Sequence, residues 1–176
     1  FVAGGFEEVE ALTPVDVLRR AGCAGQTVGI GGRVVRGSHG IAVQADITDD
    51  EARLDDIEMA VLPGGMPGAL NLERSPVVQR ALEQCLAHGK YLAAICAAPF
   101  ILGHKGVLSG KKATCYPGFE KELKGARVTG AQTEVDGSII TGRGPGAAMA
   151  FALTLVKILV NQEKAEELAA AMCLLK

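Results

Sequence analysis

A short apolar run, Y-L-A-A-I-C-A-A-P from Tyr91 to Pro99, leaves little choice of architecture for the centre of this chain. Leu92 to Cys96 are consecutive apolar residues, which predict a strand buried on both faces. The Ala-Ala-Pro-Phe-Ile-Leu stretch that follows is typical of the first turns of a helix. Cys96 is therefore expected at a sharp strand-to-helix corner, where small neighbours leave its sulfur uncovered.

The position of Cys96 allows two interpretations. A helix N-terminus places partial positive charge and free N–H groups beside the sulfur, which predicts a pKa below the usual value of about 8.5. Cys96 would then be a nucleophile or an oxidation target. Free cysteine is also among the most buried residue types, so this stretch alone favours a structural cysteine equally.

Strands alternate with helices along the chain, which predicts an α/β protein whose parallel sheet is covered on both faces. The 176 residues suit one domain, residues 1–176. Phe1 to Ala3 resemble the end of a first strand, and we expect the opening residues of that strand to be missing from this sequence. The net charge of −2, without a basic stretch, argues against a nucleic-acid partner. Without an uninterrupted apolar span of membrane length, a membrane partner is not expected either.

The cysteine pattern bears on redox setting and metals. An odd number of cysteines at irregular spacing, with no C-x-x-C pair, argues against a disulfide framework and against a structural zinc site, so no metal is expected. The pattern favours a reducing, cytoplasmic setting. The five cysteines are Cys23, Cys85, Cys96, Cys115 and Cys173.

Three glutamates lie near the start of the first predicted helix. Thr13-Pro14 predicts that this helix begins there, with Thr as the N-cap. Glu7 and Glu8 are interpreted as a solvated face. Glu10 lies among apolar residues and is expected to turn inward; facing a thiolate, its pKa would rise, and the protonated carboxyl could donate to sulfur.

Two glycine-rich stretches have functional and purely structural interpretations. Gly64-Gly65 follows the predicted strand Met59 to Leu62, and it either marks a turn or lets backbone N–H groups form an oxyanion hole. The stretch Gly142 to Gly146 precedes a long helix but lacks the P-loop lysine, so it is a weak signal for nucleotide binding. Because ligands bind at the carboxyl ends of parallel strands, Glu10, Gly64-Gly65 and Cys96 are expected to converge.

Four collinear blocks carry a family resemblance. They are G-G-F-E-E-V-E-A-L-T-P-V-D-V-L-R-R-A-G (Gly4 to Gly22), V-L-P-G-G-M-P-G-A (Val61 to Ala69), A-A-I-C-A-A-P (Ala93 to Pro99) and G-R-G-P-G (Gly142 to Gly146). Together they resemble the ThiJ/PfpI superfamily in its DJ-one branch. The resemblance implies a flavodoxin-like three-layer sandwich, a homodimer and a reactive nucleophile-elbow cysteine at Cys96.

The resemblance also implies the parts of an active site. Glu10 would be a protonated partner of Cys96, and the N–H groups of Gly65 and Ala97 would form an anion pocket. Further candidate pocket residues are Gly64, Cys115, Tyr116 and Arg143, although Arg143 could equally anchor its loop or a dimer. Relatives are described as cofactor-independent glyoxalases that convert the small 2-oxoaldehyde methylglyoxal to lactate, as deglycases of glycated amino groups, and as oxidative-stress sensors or chaperones.

This sequence differs from the family pattern at two positions, and both differences limit the activities that the resemblance implies. The protease-like branch has a histidine directly after the nucleophile, where this chain has Ala97, so a cysteine peptidase or amidase is the least favoured reading. Some DJ-one relatives carry a pocket histidine where this chain has Tyr116, which cannot act as a base near neutral pH. The leading hypothesis is a glyoxalase-type enzyme without a cofactor; the alternative is a sensor whose Cys96 is oxidised to the sulfinate.

Overall fold

The computed structural model describes residues 1–174, and it has the flavodoxin-like three-layer architecture that the family resemblance implies. A mostly parallel sheet forms the middle layer, and helices cover both of its faces. The helices are α1 (Glu8–Arg20), α2 (Gly68–Arg74), α3 (Pro76–Ala87), α4 (Pro99–His104), α5 (Ala148–Leu159) and α6 (Gln162–Ala171). Short 3-10 helices span Glu120–Glu122 and Pro145–Ala147.

The strands are short, and β6 lies at the centre of the main sheet. They are β1 (Val28–Gly29), β2 (Val34–Arg36), β3 (Ala42–Gln44), β4 (Ile47–Thr48), β5 (Met59–Leu62), β6 (Tyr91–Ile95), β7 (Lys112–Ala113), β8 (Arg127–Val128), β9 (Thr133–Asp136) and β10 (Ile139–Gly142). The main sheet has the order β5-β6-β10-β9, in which only the β10–β9 pair is antiparallel. Leu92 is in register with Ala60 on one side and with Ile139 on the other.

Both faces of β6 are buried, as its apolar run predicts. Leu92 and Ala94 pack into the core beneath α2, α3 and α4. Ala93 and Ile95 point to the opposite face, into the core formed by α1, α5 and α6. Because consecutive strand residues point to opposite faces, an unbroken apolar run is what a central strand between two helix layers requires. The carboxyl end of β6 is thereby fixed beside those of β5 and β10.

The first residues of the chain lie between the β1–β4 pair and the main sheet. Val2 pairs with Gly29 in a parallel bridge, and its N–H donates to the Val28 carbonyl at 2.8 Å. The Phe1 backbone nitrogen donates to the Val61 carbonyl at 3.1 Å. Phe1 and Val2 therefore lie between β1 and β5, where a strand of the parallel sheet belongs.

The first helix begins earlier than predicted. Thr13-Pro14 lies inside α1, which starts at Glu8, because the Glu7 side chain caps the helix by accepting from the Glu10 N–H at 2.7 Å. The expectation that Glu7 and Glu8 are solvated is also wrong: they are 8% and 4% exposed. The hairpin formed by β2 and β3 covers them.

Other boundaries differ in smaller ways. Helix α2 was not predicted, because its start at Gly68 is preceded by the Pro-Gly punctuation of the preceding loop. Strand β7 is limited to Lys112–Ala113. A tight turn that includes Asp136-Gly137 joins the antiparallel strands β9 and β10. Within residues 1–174, no helix is long and apolar enough to cross a membrane.

Candidate active site

Cys96 lies immediately after β6, in a backbone conformation that side chains rarely adopt. Its φ is +66°, in the left-handed region where a residue with a Cβ atom is strained. Two backbone hydrogen bonds hold the turn: the Cys96 N–H donates to the Gly142 carbonyl at 2.9 Å, and the Tyr116 N–H donates to the Cys96 carbonyl at 2.8 Å. The geometry is that of a nucleophile elbow, which directs the side chain away from the sheet.

The sulfur is enclosed by backbone donors. The N–H groups of Ala97 and Gly65 face the Cys96 sulfur, and both act to lower the pKa of its thiol. Gly64 passes so close that a Cβ atom there would lie 2.7 Å from the Cys96 Cβ and 2.8 Å from Glu10 Oε2. Only glycine fits at this approach. The loop after β5 therefore supplies both a donor and the space for the sulfur.

Glu10 is placed against the sulfur by the first turn of α1. Its side chain is fully buried, and Oε2 accepts from the Gly64 N–H at 2.9 Å. The other oxygen, Oε1, is buried without an N–H or O–H donor, and the carboxyl group contacts the Cys96 side chain. Burial raises the pKa of Glu10 to about 7, against the opposing effects of Cys96 and the Gly64 N–H. The carboxyl can therefore carry a proton near neutral pH.

The pKa of Cys96 is raised, whereas the sequence predicted that it would be lowered. Burial, followed by the charge of the facing Glu10 carboxylate, raises the pKa of the Cys96 thiol, although the N–H groups of Ala97 and Gly65 act to lower it. Cys96 as a residue is only 8% exposed, so it is also less open than its small neighbours suggested. Sequence reasoning placed Glu10 near the sulfur, but it did not count burial or the charge of Glu10 when it predicted the pKa of the Cys96 thiol. Because the two groups face each other, their protons are shared by the pair.

The further candidate pocket residues differ in their proximity to the sulfur. Cys115 is buried, and burial raises the pKa of its thiol to about 11. Tyr116 holds the elbow through its N–H, while its exposed ring packs over Gly144. Arg143 donates from Nη1 to the Gly130 carbonyl at 2.7 Å, so its guanidinium anchors the loop before β9. Tyr116 thus contacts Cys96 through its backbone, whereas the Arg143 side chain is hydrogen-bonded to the Gly130 carbonyl.

A second cluster lies one turn from Glu10. Glu8 accepts from the His39 N–H at 2.8 Å and lies 2.8 Å from His39 Nδ1. Glu7, Glu8 and His39 bring ligand-type atoms within 4.8 Å of one another, which is close enough to surround a cation. The hydrogen bonds within the cluster already account for its arrangement. Sequence reasoning missed it because β2 and β3, which place His39 there, are distant in the chain.

The backbone partners of the elbow were also missed. Gly142 and Tyr116 hold Cys96 through backbone groups, which have no side-chain signature in a sequence. The only available signal was the expected adjacency of β6 and β10 in a parallel sheet.

Comparison with known proteins identifies the family to which the chain belongs. A profile of the DJ-1/PfpI family matches residues 1–158. Protein DJ-1 homolog B of Arabidopsis thaliana is 39% identical over 169 residues, which cover 94% of this chain and 39% of that protein. The chain therefore spans about two fifths of the length of that plant relative. Deglycase PfpI of Pyrococcus furiosus is 35% identical over 162 residues, covering 89% of this chain and 95% of that protein.

A solved structure described as oxidized DJ-1 of Toxoplasma gondii superposes with a TM-score of 0.93 at 36% identity, covering 98% of this chain and 95% of that one. Profile, sequence and fold agree over most of the chain. The protein belongs to the DJ-1/PfpI family.

Proposed function

We propose that this protein is a cofactor-independent enzyme of the glyoxalase or deglycase type, acting on small 2-oxoaldehydes such as methylglyoxal. One observation carries the proposal: the elbow sulfur of Cys96 contacts a buried Glu10 carboxyl whose pKa is about 7. A nucleophile is thereby paired with a group that can give and take a proton near neutral pH. The burial of Cys96 supports a small substrate.

The proposed reaction uses the pair with one proton: transfer of that proton from the Cys96 thiol to the facing Glu10 carboxylate makes Cys96 a thiolate. The thiolate adds to the aldehyde carbon, and the oxygen that becomes negative accepts from the N–H groups of Gly65 and Ala97. Glu10 protonates this oxygen, which gives a hemithioacetal. Glu10, then ionised, removes the proton from the former aldehyde carbon and returns it to the adjacent carbon, while the hydroxyl proton of the hemithioacetal passes to the oxygen on that adjacent carbon. The product is a lactoyl thioester on Cys96, which water hydrolyses to lactate and the free thiol.

The relatives support the reaction class. The Pyrococcus furiosus protein is named a deglycase, and its match covers most of both chains. Removing a carbonyl adduct and converting a free 2-oxoaldehyde both begin with attack of a nucleophile on an activated carbon. We place both in one proposal, with the small carbonyl compound as substrate.

The test is the rate of lactate formation from methylglyoxal with no cofactor added. Cys96→Ser should abolish turnover, and Glu10→Gln should reduce kcat by about 10²–10⁴-fold, the usual contribution of a positioned acid or base. Cys23→Ser, at a half-buried cysteine outside the site, is the matched control and should keep the native rate. An inert native protein, or native turnover in Cys96→Ser, would refute the proposal.

The pH profile of this reaction is a second expected outcome. The Glu10–Cys96 pair loses its first proton near pH 7, and the remaining proton is held far more tightly because two facing negative charges repel. The rate of lactate formation should therefore rise through about pH 7 and reach a plateau. A rate that falls across the same interval would contradict the assignment of one shared proton to the active pair.

A sensor role is the second candidate. The observation favouring it is that two N–H donors and a protonated carboxyl surround the sulfur, as a sulfinate on Cys96 would need. A related structure is described as oxidized. Intact mass spectrometry after mild peroxide should then show addition of two oxygens at Cys96. If oxygen is added elsewhere and Cys96 stays reduced, this candidate fails.

A cysteine peptidase or amidase remains the least favoured activity. The ring nitrogens of His39, His88 and His104 interact with Glu8, with the Gln84 carbonyl, and with Glu73 and Glu122, respectively. No histidine is therefore offered to the Cys96 sulfur as a general base within the described part of the chain.

We also propose a homodimer in which α1 meets the β2–β3 hairpin of a second copy. Val9, Leu12, Val34 and Ile41 support this proposal, because they are large apolar side chains that lie exposed on these two neighbouring elements. Light scattering should give twice the chain mass, and Ile41→Glu should give one chain mass. A native monomer at micromolar concentration would refute the dimer.

The proposed unit is one domain over residues 1–176, of which the last two lie outside the described residues. Its support is that Ala165 and Leu168 of α6 share a core with Phe151 and Leu155 of α5. We place the protein in the cytoplasm because its five cysteines are free thiols, as a reducing compartment maintains.

A further inference from the structure

His104 is held between two carboxyl groups. Its Nδ1 lies 2.6 Å from Glu73 Oε1, and its Nε2 lies 2.9 Å from Glu122 Oε2. Carboxylates only accept hydrogen bonds, so both contacts are satisfied together only when both ring nitrogens carry a proton. His104 is therefore an imidazolium in this arrangement.

The three residues belong to the three segments that build the Cys96 pocket. His104 ends α4, the helix that follows the elbow. Glu73 lies in α2, which follows the Gly64-Gly65 loop. Glu122 lies in the 3-10 helix that follows Tyr116. Each segment extends from the pocket, and the three segments come together at the His104 ring.

The contact between α4 and the 3-10 helix is tight around His104. A Cβ atom on Gly103 would lie 2.9 Å from Leu123 Cα and closer still to the Glu122 carbonyl oxygen. Phe100 stacks on Phe119 at a ring distance of 6.2 Å and makes a tilted contact with the His104 ring at 5.2 Å. The two backbones are therefore in direct contact where the ion pair forms.

A continuous series of hydrogen bonds leads from Glu122 back to the elbow. The Glu122 N–H donates to the Phe119 carbonyl at 3.0 Å, and the Phe119 N–H donates to the Tyr116 carbonyl at 3.1 Å. The Tyr116 N–H in turn donates to the Cys96 carbonyl at 2.8 Å. This last bond is one of the two that hold Cys96 in its left-handed conformation.

We propose that His104 is a positioning residue for Cys96, acting through Glu122 and the Tyr116 segment. While both ring nitrogens donate, the 3-10 helix is pinned to α4 and Tyr116 is held against the elbow. When the ring loses a proton, one nitrogen lone pair faces a carboxylate and that contact opens. Glu122 is the partner expected to leave, because its side chain is 49% exposed and that of Glu73 is 27% exposed.

The charges around His104 set the direction of the pH dependence. The hydrogen bond with Glu122, and then that with Glu73, raises the pKa of His104, while desolvation lowers it. Lys124 is the cation that acts on Glu122. The nearby Lys105 is bound to Gln79 and Glu83, and it is directed to α3. The elbow is therefore held at neutral pH and released as the pH rises through the raised pKa of His104.

This inference rests on the proposed reactivity of Cys96 only for its functional meaning, and its test does not use turnover. The amide exchange of Tyr116, corrected for intrinsic rate, is measured by NMR from pH 6 to pH 10 beside the titration of the His104 ring. His104→Gln and Glu122→Gln are the variants. Glu83→Gln is the matched control, because it breaks the neighbouring Lys105 pair, which leads to no pocket segment.

In the native chain, Tyr116 protection should fall with the same midpoint as the His104 ring. At pH 7 both variants should exchange Tyr116 at least about fivefold faster, the low end for coupling between two sites, and Glu83→Gln should not. The pH profile of Cys96 alkylation, mapped by peptide mass spectrometry, should carry an inflection at that midpoint which both variants lack.

Unchanged Tyr116 exchange in Glu122→Gln, or a His104 titration that leaves Tyr116 protection constant, would overturn the proposal. If His104→Gln does not fold, the proposal is still tested by the pH series on the native chain and by Glu122→Gln, whose side chain is exposed. A protein inert toward methylglyoxal could pass or fail these measurements, so failure here and failure of the proposed function are distinguishable.

Discussion

Glu8 and Glu10 lie two residues apart on α1 and are both buried, yet their pKa values move in opposite directions. For Glu8, burial acts to raise the pKa, but hydrogen bonds from the His39 ring, the His39 N–H and the Ile41 N–H lower it to about 2. For Glu10, burial dominates and raises the pKa to about 7, because only the Gly64 N–H donates to it from the backbone.

The difference shows that the number of donors, not burial, decides what a buried carboxyl can do. Glu8 accepts several hydrogen bonds from the β2–β3 hairpin and stays ionised. Its role is therefore to link α1 to that hairpin. Glu10 keeps one oxygen without a donor and faces a sulfur. Its proton is therefore available for exchange near neutral pH. Three variants test this comparison.

The largest expected effect on stability comes from Glu10→Gln. The folded chain keeps a Glu10 proton that the unfolded chain loses between pH 4.5 and about 7, so native stability falls as the pH rises across that window. Glutamine removes this penalty. At pH 8 the variant should be more stable than the native chain by up to ~3 kcal/mol, the size of such a shift at about 1.4 kcal/mol per pKa unit.

Urea unfolding of both proteins between pH 4 and pH 8 measures this gain, which should disappear by pH 4. A variant that is less stable than the native chain at pH 8 would show that burial does not disfavour the ionised form of Glu10.

Glu8→Gln should have the opposite effect and be somewhat smaller. The glutamine oxygen can still accept from the His39 and Ile41 N–H groups, but the NH₂ group cannot accept from the His39 ring, and losing a hydrogen bond to a charged group costs about 1.5–3 kcal/mol. The lowered pKa of Glu8 means that its contribution is complete above pH 4.5 and is lost as the pH falls to about 2. The free energy of unfolding of native and variant should therefore converge in acid.

Lactate formation in Glu8→Gln, measured where the variant is fully folded, should stay near the native rate. A loss of turnover as large as that of Glu10→Gln would remove the functional distinction between the two glutamates.

His39→Gln should have the smallest effect. It removes the ring contact to Glu8 but keeps the His39 backbone N–H bond, and the histidine side chain is largely exposed. The hydrogen bond with Glu8 raises the pKa of His39, so the stabilisation is complete below the ordinary value of 6.5 and is lost as the pH rises through the raised pKa.

Thermal unfolding at pH 6 and pH 9 measures the His39→Gln effect: the variant should melt below the native chain at pH 6 and together with it at pH 9. A larger difference at pH 9 would mean that the ring acts on Glu8 by packing, not by charge.

Much of the fold and the centre of the site could be predicted from the sequence. The apolar run of β6 predicted a strand buried on both faces, and the residues after it predicted the turn that exposes a cysteine to the pocket. Glu10 was expected to turn inward because apolar residues surround it in the sequence. These inferences succeed because periodicity and turn chemistry are local.

The start of α1 could not be predicted, because the cap at Glu7 depends on its carboxyl turning back to the Glu10 N–H while Gly64 accepts from the Glu7 backbone. The burial of Glu8 required His39, which is distant in the chain. Local preference favoured Thr13-Pro14, and tertiary contacts overrode it.

The sequence by itself determined the layered α/β architecture, the elbow and the identity of the facing acid, since each follows from local apolar pattern, small residues and glycine. Only the tertiary structure decided the protonation of that acid and of the thiol. The pKa of each group depends on burial, donor count and facing charge, which are distances between segments that the order of residues does not state. The same reason explains why the opposite shifts of Glu8 and Glu10 became evident only in the folded protein.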